Sequence, residues 1–163
     1  MTARNDPLLS LEEFLAAAPA GTALFGLDLG TKTIGIAISD LGRRVATPMV
    51  TLRRKAFKTD AAELLRLAAS RDIAGLVLGM PFNMDGSTGP RVQATKAFAR
   101  NLAQLTDLPM LAWDERMSTA AVTRTLIEAD TSRARRREVV DKVAAAYILQ
   151  GALDRMSSPG FSS

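Results

Sequence analysis

Two apolar runs, Leu24 to Leu29 and Ile34 to Ile38, are separated by Gly30-Thr31-Lys32-Thr33. Apolar runs joined by a short polar segment, with glycine where the chain reverses, predict a pair of strands connected by a tight turn. Asp28 does not fit a plain core hairpin, because it stands between Leu27 and Leu29 inside the first run. An ionised carboxylate in an apolar strand is costly unless it is paired or bound to a cation. Asp28 therefore either accepts hydrogen bonds from the turn amides or serves as a metal ligand or phosphate-site carboxylate.

The chemistry open to this carboxylate is narrowed by what the chain lacks. Its 163 residues suit one compact domain, and 47% apolar with 23% charged residues indicate a globular chain. It contains no cysteine and no histidine. Disulfides, thiolate metal sites, a Ser-His-Asp triad, a histidine-ligated zinc and a histidine general base are thereby excluded. Hydrolytic chemistry would have to use carboxylates, Lys, Arg, Ser, Thr or an oxygen-ligated metal, which favours magnesium or manganese. The net charge of +4 is concentrated in Arg43-Arg44, in Arg53-Arg54-Lys55 with Lys58, and in Arg133 with Arg135-Arg136-Arg137. Such clusters are either solvated faces or contacts to a polyanion, nucleic acid first. The sequence shows neither an apolar run of transmembrane length nor a secretory signal pattern, and a cytoplasmic protein is expected.

Along the chain, Ser10-Leu11-Glu12-Glu13 matches a capping box opening a short helix with Leu11, Phe14, Leu15 and Ala18 inward. A third strand spans Arg44 to Leu52 and belongs at a sheet edge because of Pro48. A helix begins near Asp60, and Ile73 to Leu78 reads as a central parallel strand. A glycine-rich loop, 79–89, leads to a helix with Pro90 in its first turn and Ala94, Phe98, Leu102 and Leu105 inward. Met110 to Trp113 is another strand, with Asp114-Glu115-Arg116 at its end. Ser118 caps a further helix carrying Ala121 to Ala129, and 130–137 forms a mobile basic connection. The last helix runs from about Glu138 to Met156 on a stripe that includes Val143, Ala144, Tyr147, Ile148 and Gly151. The expected organisation is an N-terminal extension over 1–21, a domain over 22–156 and a disordered tail over 157–163. The expected fold is α/β: a mixed sheet, three antiparallel strands followed by parallel ones, with helices on both faces.

Three acids interrupt otherwise apolar elements: Asp28, Glu115 after the Trp113 strand, and Asp141 on the last helix. Sites in open α/β sheets form beyond the C-terminal ends of the strands, within reach of Asp28 and Glu115, and of Asp141 if the last helix crosses the sheet. Three converging carboxylates require cations, and two divalent ions about 4 Å apart would satisfy them and could activate water for in-line attack on a phosphodiester. Asp141 could instead pair with Arg137 on the helix surface. Glu138, three residues earlier, and Asp114 are possible further ligands or surface groups.

Four segments in order carry a family resemblance: Gly26-Leu27-Asp28-Leu29-Gly30-Thr31-Lys32; Gly79-Met80-Pro81 with Asn83 and Gly86; Asp114-Glu115-Arg116; and Val140-Asp141-Lys142 with Ala144-Ala145. Together they resemble the YqgF family of Holliday-junction-resolvase-like proteins, with an RNase H fold and a role as pre-16S ribosomal RNA nucleases. The resemblance spans about Leu24 to Leu153 and implies that Asp28, Glu115 and Asp141 are the metal-binding catalytic acids, with Mg2+ or Mn2+. It also implies a phosphate contact by the loop amides around Gly79, Asn83, Gly86 and Ser87, with Lys32, Arg91 and Arg116 on the same nucleic-acid backbone. Arg133, Arg135, Arg136 and Arg137 would form a phosphate-tracking flap. Thr33 stands where the family often has Arg.

The function expected from this is a metal-dependent endonuclease on structured RNA, maturing the 5′ end of pre-16S rRNA, or a resolvase on branched DNA. A non-catalytic module binding nucleic acid or a pre-ribosomal particle is the alternative. Asp28-Leu29-Gly30-Thr31 also resembles the first phosphate loop of the actin and Hsp70 group, but those proteins enclose ATP between two such domains. No membrane partner is expected, and the chain is expected to be a monomer or a homodimer.

Overall fold

The computed structural model describes residues 6–117 and 134–158. The elements in chain order are β1 (Leu8–Leu9), α1 (Leu11–Ala17), β2 (Ala23–Leu29), β3 (Thr33–Ser39), β4 (Ala46–Arg53), α2 (Phe57–Ser70), β5 (Ile73–Met80), α3 (Pro90–Ala103), β6 (Met110–Asp114) and α4 (Ala134–Met156), with a single 3-10 turn at Glu115–Met117. The strands form one six-stranded sheet in the order β1-β6-β5-β2-β3-β4. β2, β3 and β4 are antiparallel neighbours, whereas β1, β6, β5 and β2 run parallel. This is the expected mixed sheet.

Each face of the sheet carries its own core. On one, Phe25, Leu27, Ile34, Ile36, Leu76 and Leu78 pack with Ala61, Leu64 and Ala68 of α2 and Phe98 and Leu102 of α3. On the other, Leu24, Ala37 and Val77 meet Phe14 of α1 and Ala145, Ile148, Leu149 and Ala152 of α4. Side chains of a strand alternate between faces, so strands apolar at every position are what a doubly covered sheet requires. β4 is the edge strand that Pro48 demands: its register skips Met49, with Ile36 opposite Val50 and Ala37 opposite Pro48.

Residues 8–18 are stitched onto this sheet. β1 pairs with β6 (Leu8 opposite Met110), and the capping box closes α1, with Ser10 Oγ accepting from Glu13 N at 3.2 Å and Ser10 N donating to Glu13 Oε1 at 3.0 Å. Phe14 is fully buried, against Leu24 and the bare Gly75. Arg43 fastens the end of this segment, donating to Thr22 O at 2.9 Å and Pro19 O at 2.7 Å.

Several boundaries differ from the sequence expectation. α2 begins at Phe57, before Asp60, and α4 begins at Ala134 rather than near Glu138, so 134–137 is helix and not connection. On α3 the buried residues are Val92, Thr95, Phe98, Ala99 and Leu102, a stripe one residue further round than one through Ala94. Leu105 lies beyond the helix end, where helical spacing no longer applies, and is 55% exposed; Tyr147 on α4 is exposed as well. The expected helix after Ser118, the connection at 130–133 and the tail at 159–163 lie outside the described residues. Among the described residues, no helix is long and apolar enough to cross a membrane.

Candidate active site

Register explains how three acids come to lie along one face of the sheet. Asp28 lies two residues after Gly26 on β2 and so shares its face, the one covered by α4. Its partner on β3 is Gly35, and on the other side Leu27 pairs with Leu78, which places Gly79 alongside Asp28. Both neighbours of the carboxylate are therefore glycines. A Cβ on Gly35 would stand 2.1 Å from the Asp141 carbonyl oxygen, and one on Gly79 would stand 3.2 Å from Glu115 Oε2 and 2.4 Å from Ile148 Cδ1. Glycine in a strand interior marks a close approach. Here the approaching groups are the α4 backbone at Asp141 on one side and, on the other, Ile148 of α4 with the Glu115 carboxylate beside it. The bare backbone at Gly26 lets α4 down onto the sheet in the same way, with Leu149 Cβ 2.6 Å from where its Cβ would be. Asp28, Glu115 and Asp141 are 1%, 2% and 6% exposed.

The turn between β2 and β3 is held from three directions. Gly30 N donates to Thr33 O at 2.9 Å, so this turn amide is spent on the turn rather than on Asp28. Arg54 donates through its guanidinium to Gly30 O at 2.7 Å and through its backbone to Lys32 O at 2.8 Å. Arg91 donates to Leu29 O at 3.1 Å, and the same nitrogen lies 4.0 Å from Asp28 Oδ1. Thr33, buried at the start of β3, donates its hydroxyl hydrogen bond to Asp141 Oδ2, 108 residues away in the chain.

That bond orients one of the three acids. Replacing Thr33 with Val keeps the shape but leaves a buried carboxylate oxygen short of a donor, at a cost of about 1–3 kcal/mol. If Asp141 ligates a cation, affinity for Mn2+ should also fall on the order of tenfold, as for other groups that orient a ligand. Thr33→Ser should restore both in a thermal melt and a calorimetric titration; Thr33→Val with unchanged Mn2+ uptake would remove Thr33 from this role.

The donor set is three buried carboxyl groups offering only oxygen, and this fits a hard divalent cation such as Mg2+ or Mn2+. Among the described residues no three acids are drawn close enough to form a ready-made metal cluster. The three acids lie along one face of the sheet, and a divalent charge would offset the repulsion among carboxylates held there.

The other sequence-derived residues divide. Lys32 is exposed on the turn. The loop amides proposed as a phosphate cradle are committed internally: Asn83 N donates to Ser87 O, Gly86 N to Asn83 O, and Ser87 N to Asp85 Oδ1 at 2.9 Å, while Gly79 lies within β5. These three amides are therefore engaged within the loop itself. The side chains of Asn83 and Ser87 bond each other at 2.9 Å and are exposed.

Arg116 clasps Asp114, with Nη2 to Oδ2 at 2.6 Å, and lies over the Phe82 ring. Burial pushes the Asp114 carboxyl up, but the hydrogen bonds and charge of Arg116 outweigh it and hold the group below the ordinary carboxylate range. Asp114 is thus engaged by Arg116. Arg133 lies outside the described residues. Arg135, Arg136, Arg137 and Glu138 belong to the first turns of α4, but their side chains lie outside the described part, and with them the Arg137–Asp141 pair. Sequence reasoning placed Arg54 only in a basic cluster and missed its hold on the turn, and it missed the hydrogen bond made by Thr33. It also missed the roles of Gly35 and Gly79, although glycine inside an apolar strand was a signal for both.

A mixed sheet of this order with helices on both faces is an RNase H-like fold. Comparison with known proteins narrows the class. The model of the family described as "RuvX: Holliday junction resolvase" matches residues 22–155, and the chain belongs to that family. A protein of Cereibacter sphaeroides named "Putative pre-16S rRNA nuclease" is 63% identical over 147 residues, covering 90% of this chain and 92% of its own. One of the same name from Bradyrhizobium sp. is 62% identical over 152 residues, covering 93% and 94%. Among solved structures, Thermus thermophilus RuvC in complex with a Holliday junction substrate superposes with a TM-score of 0.53 at 12% identity, covering 83% of this chain and 96% of that one. At that identity the likeness is one of fold.

Proposed function

We propose that this chain is a divalent-metal-dependent endonuclease that hydrolyses phosphodiester bonds in structured RNA and matures the 5′ end of pre-16S rRNA. The observation that carries this is the placement of Asp28 between two glycines, over which Asp141 and Glu115 lean from opposite sides. Names of relatives at about 62% identity favour ribosomal RNA as the substrate.

In this reading Asp28, Glu115 and Asp141 hold one or two Mg2+ or Mn2+ ions. Bound there, the ions would supply acidified water and charge neutralisation at the phosphate. The protein's own share is positional. Asp28 is fixed by the strand, Asp141 by the helix seated on Gly35 and by the Thr33 hydroxyl, and Glu115 by the turn that ends β6. Arg91, anchored on Leu29 O, and Lys32, exposed on the turn, flank the row with positive charge suited to phosphate oxygens. No histidine is needed. Proton release and uptake pass to water.

The test is cleavage of a 16S precursor RNA and of a four-way DNA junction with Mg2+, with Mn2+ and with EDTA. Metal-dependent cleavage of the RNA is expected. Preference for the junction would make the chain a resolvase, and tight binding without cleavage under either metal would make it a binding module.

A further inference from the structure

We propose that Lys32, Arg53, Lys55 and Lys58 form one phosphate-binding ridge that carries a flank of the nucleic-acid substrate past the β2–β3 turn and away over the β4 edge. The inference rests on the nuclease reading and adds the path of the substrate.

The ridge is built by three junctions. Lys32 projects from the turn, Arg53 ends β4 opposite Thr33, and Lys55 and Lys58 flank the start of α2. All four are exposed. Arg54, between Arg53 and Lys55, turns the other way. It bonds Gly30 O and Lys32 O, lies over the Phe98 ring at 5.8 Å, and approaches Asp60 at 4.0 Å. Asp60 is buried, and it accepts from Lys55 N at 3.1 Å. Arg54 and Asp60 therefore brace the segment from beneath, which holds Lys32 and residues 53–55 beside one another.

Charge balance points to the ligand. Between Asp40 and Asp60 the sequence contains no acid, while it contains Arg43, Arg44, Arg53, Arg54, Lys55 and Lys58. The acid on the α2 surface, Glu63, is bonded by Arg66 at 2.5 Å and also feels the charge of Lys55, so it balances only part of the cluster. Lys58 sits in the first turn of α2, where a cation opposes the helix dipole. Four like charges on one braced surface repel, and a linear polyanion relieves that repulsion by releasing its counterions. The ridge begins at the turn that carries Asp28 and Thr33 at its two ends, so a backbone lying on it rounds the turn to reach the acid row on the α4 face. Such contacts hold the strand in place without reading its sequence.

The experiment is fluorescence anisotropy of a labelled 16S precursor RNA hairpin in EDTA across a salt series. Arg53→Gln/Lys55→Gln/Lys58→Gln should flatten the slope of log affinity against log salt by roughly 2–3 and weaken binding at 0.1 M salt on the order of a hundredfold, at about 0.7–0.9 per lost phosphate contact. Lys58→Gln alone, a surface change on the helix, should flatten it by about 0.7–0.9. Arg71→Gln/Arg100→Gln, remote from the turn, should change the slope little. Variants that melt with the wild type and keep its slope would overturn the ridge. If Asp28→Asn still removes cleavage in that case, the nuclease reading stands without it. A flattened slope together with a fully active Asp28→Asn would keep the ridge and overturn the catalytic reading.

Discussion

Replacing Asp28 with Asn is expected to lower metal-dependent cleavage on the order of a thousandfold, about 4 kcal/mol of transition-state stabilisation, and to leave the protein folded. The substitution preserves size and removes one charge from the centre of the row. Asp28 is fixed within a strand flanked by Gly35 and Gly79, so no neighbouring acid can take its position. The fold should not suffer. Asp28 is 1% exposed, and an uncharged amide there removes repulsion toward Glu115 and Asp141. Cleavage by the purified variant under Mg2+ and Mn2+, beside a thermal melt, checks both halves. Undiminished cleavage would remove Asp28 from the chemistry, and a large loss of stability would make it a structural acid.

Gly35→Ala should be equally severe for a different reason. A methyl group would lie 2.1 Å from the Asp141 carbonyl oxygen and 2.3 Å from its carbon. Both are helix backbone atoms, and α4 cannot slide aside because Ala145 and Leu149 are seated on Gly26 further along. The strand and the helix have to separate near Asp141, which costs about 3 kcal/mol. The same separation carries Asp141 away from Asp28 and from the Thr33 hydroxyl, so cleavage should fall to background even in the fraction that folds. Gly89→Ala, whose nearest neighbour would be an Asn83 side-chain atom at 3.7 Å, is the matched control and should change little. A melt unchanged by Gly35→Ala would mean that α4 does not rest on β3 as described.

These two residues mark what can be read from a sequence here. Asp28 announces itself because an acid between Leu27 and Leu29 violates the pattern around it, and the hairpin and the central β5 strand are legible for the same reason. Gly35 also breaks an apolar run, but its purpose depends on a helix more than 100 residues later. β1 was not legible: Leu8 and Leu9 are too few to show a period, and their pairing with Met110 and Leu111 is wholly tertiary. The start of α4 was hidden because Ala134-Arg135-Arg136-Arg137 is polar on every side, and helix propensity decided where hydrophobic pattern was silent. The glycine-rich loop is legible as a loop, but its internal bonds are not: Ser87 donates both its amide and its hydroxyl to Asp85 Oδ1, a pairing that composition does not announce.

The central claim is that the three acids together hold a divalent cation, and titration of Mn2+ into the wild type and into Asp28→Asn tests it most directly. By calorimetry the wild type should take up Mn2+, and its melting should shift upward by the equivalent of about 2.7 kcal/mol at a hundredfold excess over Kd. The variant should show neither heat nor shift. A wild type whose stability is indifferent to Mn2+, or a variant that binds it as tightly, would contradict the account.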